Sequence, residues 1–261
     1  MKIALISLNQ FWEDKEKNLD LCLEFINKAS KEKVDLIIFP EMTLTGFSTN
    51  IKAIAEDKKD SKTIKLFSEI AKNRNLAIIF GVVIKEENKA SNNCYFIDNF
   101  GKIQADYKKI HPFSFAGENV FYVAGDELKS VLYKDHQIGF SICYDLRFPE
   151  IYTALSKNND IIVNIANWPK RRVEHWDTLL RARAIENQVF VIGVNRIGVD
   201  GNNLEYQKSS KIYNSNGEEL ASLIRDGDME IFDIDKNYTA EFRKKFNTID
   251  DRKTEFYKNI L

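Results

Sequence analysis

No apolar stretch in the 261-residue chain approaches the ~18–20 residues needed to span a bilayer. The apolar run at residues 3–8 is followed by Asn9, Gln10, Trp12, Glu13 and Asp14, with no small-residue cleavage site. It therefore reads as a strand and not as a secretory leader, and a cytoplasmic protein is expected. Cysteine is scarce: three residues, an odd number, exclude a fully paired disulfide framework and suit a reducing compartment. Cys22, Cys94 and Cys143 lie far apart, as do His111, His136 and His175. No C-x-x-C or H-x-x-x-H spacing appears, which speaks against a structural zinc site. Neither sign of charge dominates. Thirty-eight basic against thirty-nine acidic residues leave a net charge of −1 with no strongly basic segment, so nucleic acid is not an expected partner. Only four prolines occur, and no composition break marks a linker, so residues 1–261 are read as a single domain.

What is present alternates between strand and helix patterns. Residues 3–8 read as a strand, after which Leu19, Cys22, Leu23 and Ile26 recur at helical spacing on one apolar face. Residues 34–39 form a buried-type strand ending at Pro40, and residues 60–73 a helix with Ile64, Phe67 and Ala71 on one side. Residues 76–84 and 94–97 read as neighbouring strands separated by turn chemistry at 87–93. Further strands are expected at 138–143, 161–166 and 189–195, with helices opening at Pro149 and spanning 174–187. Short strands with Asn-Gly and Asp-Gly turns follow over 209–234. The pattern predicts an α/β sandwich with helices outside the sheets. Asp35-Leu36-Ile37-Ile38 before Pro40 faintly echoes Asp160-Ile161-Ile162-Val163 before Pro169.

Three residues stand directly after strands. Cys143 ends residues 138–142, where a sharp strand-to-helix turn offers free backbone N–H groups and a partial positive charge that favour thiolate. Glu41 follows Pro40, at the kind of strand end where ligands of α/β sheets gather. Lys109 sits in Tyr107-Lys108-Lys109-Ile110-His111; in an extended segment the two lysines face opposite ways, so one of them points inward. Taken singly, each is more ordinarily a buried thiol, a loop carboxylate or a solvated lysine. Together they fit an amide-cleaving cysteine, which needs a base for its proton and an electrophilic group for the developing oxyanion. A Cys–His pairing with His111, His136 or His175 fits the spacing equally well.

These segments resemble the nitrilase (carbon–nitrogen hydrolase) superfamily. Phe39-Pro40-Glu41 is similar to its general-base motif, Tyr107-Lys108-Lys109-Ile110-His111 to its lysine motif, and Cys143-Tyr144-Asp145-Leu146-Arg147-Phe148-Pro149-Glu150 to its nucleophile elbow. The resemblance runs from Met1 to about Arg243. It implies a four-layer αββα sandwich that dimerises through helical faces and uses no metal or organic cofactor. It also implies Glu41 as base, Lys109 as oxyanion stabiliser and Cys143 as nucleophile, with Glu118, Tyr144, Asn167, Trp168 and Arg172 against the substrate. Within the family, the stretch from Asn167-Trp168-Pro169 through Ala184-Ile185-Glu186-Asn187-Gln188 is similar to bacterial omega-amidases. Those enzymes hydrolyse the terminal amide of 2-oxoglutaramate or 2-oxosuccinamate. Of Lys170, Arg171 and Arg172, the likeness favours Arg172 as the residue gripping a substrate carboxylate. Two positions depart from the pattern: Pro112 stands where relatives often carry Leu, and Lys208 where they commonly carry Gly near the pocket. The competing readings are an N-carbamoyl-amine or short aliphatic amide hydrolase, and a non-catalytic binding protein on the same fold. The second has no need for Glu41, Lys109 and Cys143 together.

Overall fold

The computed structural model describes residues 1–260. The chain runs β1 (Lys2–Ile6), α1 (Lys15–Lys31), β2 (Leu36–Ile38), α2 (Ile51–Ile54), α3 (Lys62–Arg74), β3 (Ala77–Lys85), β4 (Ala90–Ile97) and β5 (Ile103–Lys108). There follow α4 (Glu118–Phe121), β6 (Ser130–Tyr133), β7 (His136–Ile142), α5 (Pro149–Leu155), β8 (Ile161–Ala166), α6 (Val173–Asn187) and β9 (Phe190–Asn195). A small hairpin, β10 (Gly198–Val199) with β11 (Glu205–Tyr206), precedes β12 (Lys211–Tyr213), β13 (Ile224–Asp226) and β14 (Met229–Asp233). Helices α7 (Tyr238–Lys245) and α8 (Thr254–Lys258) close the described chain.

Strand alternation sorts the side chains into layers. A seven-stranded sheet has the order β13-β14-β1-β2-β3-β4-β5, and a five-stranded sheet the order β12-β9-β8-β7-β6. Ile3, Leu5, Leu36 and Ile38 point from the first sheet into a core shared with Ile138, Phe140, Ile161 and Val163 of the second. Their alternates Ala4, Ile6 and Ile37 face the other way, against Cys22 and Ile26 of α1 and Phe67 of α3. On the far side, Ile162 and Val191 meet Trp176, Leu180 and Ala184, which recur every fourth residue along α6. Helix, sheet, sheet, helix: the result is the four-layer αββα sandwich of the nitrilase type. Among the described residues no helix is long and apolar enough to cross a membrane.

The faint sequence echo has a structural counterpart. In each sheet three strands run parallel, β1-β2-β3 and β7-β8-β9, and the echo marks the middle one. The carboxylates of Asp35 and Asp160 accept from the first-strand N–H groups of Lys2 and Gln137, at 2.8 and 3.1 Å. Beyond the opposite ends of these two strands come Glu41 and Asn167, face to face across the sheets.

The segment after β2 turns sharply, with Met42 in the left-handed region at φ 47°. The Thr43 N–H donates to Gly81 O at 2.9 Å, and the Gly81 N–H donates to Thr43 Oγ1 at 2.9 Å, clamping this turn onto β3. Only glycine permits that approach, since a Cβ at position 81 would lie 2.3 Å from the Met42 nitrogen. Backbone on both sides leaves no flexible atom to yield. Gly81→Ala is therefore expected to cost about 1–3 kcal/mol of stability, read as a lower thermal midpoint, and to cut activity by displacing Glu41. An unchanged midpoint together with full activity would show that the turn has slack.

Candidate active site

The strand β7 ends at Ile142, and Cys143 enters a short 3₁₀ turn, Cys143–Arg147, with φ 46°. A non-glycine residue there is strained and must be held. The Cys143 N–H donates to Asn164 Oδ1 at 3.1 Å. Asn164 is itself braced through its Nδ2, which donates to Ser141 Oγ at 3.0 Å and to the Tyr152 hydroxyl at 3.1 Å. Asp145 ties the elbow to the lysine segment: Oδ2 accepts from the Ile142 N–H at 3.0 Å and the Tyr107 hydroxyl at 2.7 Å, and Oδ1 from the His111 N–H at 2.9 Å. Tyr107 and His111 flank Lys109 by two residues on either side, so one buried carboxylate sets the lysine segment against the turn that carries Cys143. The Tyr144 N–H belongs to the first turn and has no intrahelical acceptor.

Behind the elbow lies a buried ion cluster. Lys109 Nζ is 3.1 Å from Glu41 Oε1 and 2.8 Å from Glu118 Oε2. All three side chains are shut off from solvent, at 1% exposure or less. Burial alone would lower the Lys109 pKa, but the carboxylates of Glu118 and Glu41 outweigh it and hold the ammonium well above the usual lysine range. Lys108 faces the other way and pairs with Glu86 at the surface. The remaining oxygens are satisfied. Asn92 Nδ2 donates to Glu41 Oε1 at 2.7 Å and to Glu118 Oε1 at 3.2 Å, and the Asn167 N–H donates to Glu41 Oε2 at 2.8 Å. Gln10 Nε2 lies within 3.1 Å of the carbonyls of Glu41, Met42 and Thr43.

The cluster floors a cavity of about 230 Å³ lined by Lys109, Cys143, Tyr144, Asn167, Trp168 and Arg172, with aromatic walls that include Phe113 and Tyr206. This is below the ~300–1,000 Å³ typical of drug-sized ligands, which points to a small substrate. Every residue expected at the site is thus brought together: six line the cavity, and Glu41 and Glu118 lie directly beneath through Lys109. The histidines are elsewhere. His111 Nδ1 meets Asp145 at 3.0 Å, His175 approaches Arg147 at 3.3 Å, and His136 lines a separate surface cavity with Asp35. Among the described residues no cluster of His, Cys, Asp and Glu has the arrangement of a metal site.

The structure corrects two expectations and places one departure from the family pattern. The turn expected at 87–93 is shorter, because β4 already begins at Ala90 and pairs Asn92 and Asn93 with Val83 and Val82. Asn92 was consequently missed as a site residue, since asparagine is a turn former and only the tertiary placement gives it two carboxylates to serve. The elbow does not favour thiolate. Burial, then the negative charge of Glu41, pushes the Cys143 thiol well above its usual range, and Lys109 only partly opposes this. Lys208, finally, sits outside the cavity without a positive φ, its Nζ donating to Gly227 O at 2.7 Å.

Comparison with known proteins agrees with this geometry. A family model for carbon–nitrogen hydrolases matches residues 2–244. An omega-amidase from Yersinia enterocolitica is 36% identical over 221 residues, covering 84% of this chain and 83% of the relative. A 2-oxoglutaramate amidase from Paenarthrobacter nicotinovorans is 35% identical over 237 residues, covering 86% and 80% respectively. Among solved structures, a protein from Xanthomonas campestris with an arsenic adduct in its active site superposes with a TM-score of 0.89 at 32% identity, covering 97% of each chain.

A thiol whose pKa is raised is protonated at neutral pH, and its reactivity with a neutral reagent grows as pH climbs toward that pKa. Methyl methanethiosulfonate, which is not an amide, is expected to label Cys143 more slowly at pH 7 than a free cysteine. The rate should still be rising at pH 9, as followed by mass spectrometry. A plateau already reached below pH 7 would show a preformed thiolate.

Proposed function

The chain belongs to the carbon–nitrogen hydrolase family and is an amidase, and on that premise we propose that it hydrolyses a small carboxylate-bearing amide, 2-oxoglutaramate or 2-oxosuccinamate, through a thioester on Cys143. In the first half, Cys143 passes its proton to Glu41 as Sγ bonds to the amide carbon. The oxyanion is met by Lys109 and the Tyr144 N–H. One Lys109 N–H serves Glu41 and one can be shared across the two oxygens of Glu118, leaving a third for this task. Glu41 then returns the proton to nitrogen, the C–N bond breaks, and ammonia departs from the thioester. In the second half a water gives its proton to Glu41 and attacks the same carbon; the C–S bond breaks and the thiol is restored. The raised thiol pKa suits this order, because the proton leaves only as the bond to carbon forms.

The observation that carries the substrate class is the basic wall of the cavity. Lys170 is turned outward and pairs with Glu205 at 2.8 Å. Arg171 and Arg172 line the cavity with Arg147. Arg172 is half-buried and lies 5.4 Å over the Phe113 ring, and the charges nearest it include those of Arg171 and Arg147. A half-buried guanidinium beside two others is poorly compensated until an anion arrives, and its planar fork matches a carboxylate. The relatives named for omega-amidase and 2-oxoglutaramate amidase activity support the same assignment.

Two experiments test this reading. Cys143→Ala is expected to abolish ammonia release from 2-oxoglutaramate while leaving the fold intact, and Glu41→Gln to slow it by roughly 10²–10⁴-fold. Substantial turnover by the Cys143 variant would overturn the mechanism. For the substrate, Arg172→Ala is compared with wild type on 2-oxoglutaramate and on a neutral short amide. The acid alone should lose about 1.5–3 kcal/mol of kcat/KM, and equal losses on both amides would remove Arg172 from recognition.

A further inference from the structure

We propose that Arg196, a fully buried side chain, is a positioning residue for substrate: it seats the β10–β11 hairpin as one wall of the cavity, so that its loss weakens binding and spares the chemical step. This rests on the amidase reading above and extends it to a residue that never meets the substrate.

The hairpin cannot hold itself. Its ladder is two pairs long, Gly198 with Tyr206 and Val199 with Glu205, and so short a hairpin is not stable alone. It nevertheless supplies Leu204 and Tyr206 to the cavity lining. Its Glu205 also pairs at 2.8 Å with Lys170, which heads the turn carrying Arg171 and Arg172. Wherever the hairpin sits, that wall and that turn follow.

The seat is the segment 8–12, and Arg196 is the fastening. The Ile197 N–H donates to Leu8 O at 3.1 Å, and Gly201 lies so near Trp12 that a Cβ there would come within 2.5 Å of the indole. Arg196, at 0% exposure, donates through Nη2 to Gln10 O at 3.1 Å and Val199 O at 3.5 Å, and through Nε to Ile197 O at 3.2 Å. Its guanidinium lies 4.7 Å over the Tyr206 ring, within cation–π reach. One planar group thus joins the seat to both strands of the hairpin. All three acceptors are backbone carbonyls, and burial holds the Arg196 pKa below the ordinary arginine value despite the nearby charge of Asp200. A buried cation so thinly compensated is costly, and what it holds together is the cavity wall.

The turn that carries Glu41 does not depend on this fastening. Gln10 reaches that turn through its own Nε2, and Thr43 and Gly81 clamp it to β3. Binding and chemistry should therefore separate.

Ammonia release from 2-oxoglutaramate tests this. Arg196→Lys keeps the charge and loses the fork, and should raise KM about tenfold. Its kcat should stay within about threefold of wild type. In a Tyr206→Ala background the same substitution should change KM by less than about twofold, because the wall it seats is already gone. Asp200 accepts from the Tyr206 hydroxyl at 2.8 Å and from the N–H groups of Asn202 and Leu204. Asp200→Ala loosens the same hairpin from its turn, should likewise raise KM alone, and covers the case in which Arg196→Lys folds poorly. A fall in kcat at unchanged KM would set Arg196 behind Glu41 and overturn the proposal. So would a lower thermal midpoint with both constants unchanged, or a full tenfold rise in KM without Tyr206. A wild-type enzyme that releases no ammonia from any small amide would instead strike down the amidase reading, and this inference with it.

Discussion

Everything at the site hangs on one buried ion cluster, the Lys109 ammonium held between Glu41 and Glu118. Two carboxylates and an amine removed from water are costly unless every lone pair and proton finds a partner. The surrounding fold is arranged to provide those partners. Asn92 comes from β4 and Asn167 from the end of β8, while Gln10, from the segment after β1, holds the backbone carbonyls of the turn that carries Glu41. In the proposed reaction the cation also answers a chemical need, as the donor to the oxyanion beside the carboxylate that takes and returns a proton. On that mechanism, the cluster that costs stability is the one that would make attack by a neutral thiol productive.

Two devices hold the participants in place. Gly81 lets the turn carrying Glu41 press onto β3, and Asn164 holds the strained backbone of Cys143. Asp145 links them by anchoring the residues on either side of Lys109 to the elbow. Glu41, Lys109 and Cys143 therefore do not rest on independent loops. They are joined through side chains that never meet the substrate.

Much of this was legible before the structure. The strand and helix periods mark the layers, and the strand-end positions of Glu41 and Cys143 follow from those periods. Alternation in Tyr107-Lys108-Lys109 shows that one lysine must point inward, and the family motif selects Lys109. The residues that escaped notice are Asn92, Asn164 and Asp145. Their local preferences are for turns and caps, and most of their work is done on atoms more than twenty residues away in sequence. The state of the thiol was misjudged for a related reason: a helix start is a local feature, whereas the burial and the negative charge that prevail arrive from other elements. Arg172 was one of three basic residues in a row, and only the ion pair of Lys170 with Glu205 separates the outward one from those facing the cavity.

The two sheets contribute different halves of the machinery. Glu41 and Lys109 follow strands of the seven-stranded sheet, while Cys143 and Asn167 follow strands of the five-stranded one. The placement of Glu41 relative to Cys143 therefore depends on the apolar filling between the sheets, which includes Phe96 against Phe140, with ring centroids 6.2 Å apart. That filling works as a spacer gauge. A side chain trimmed or enlarged deep inside it would retune the reaction from a position that neither substrate nor solvent ever reaches.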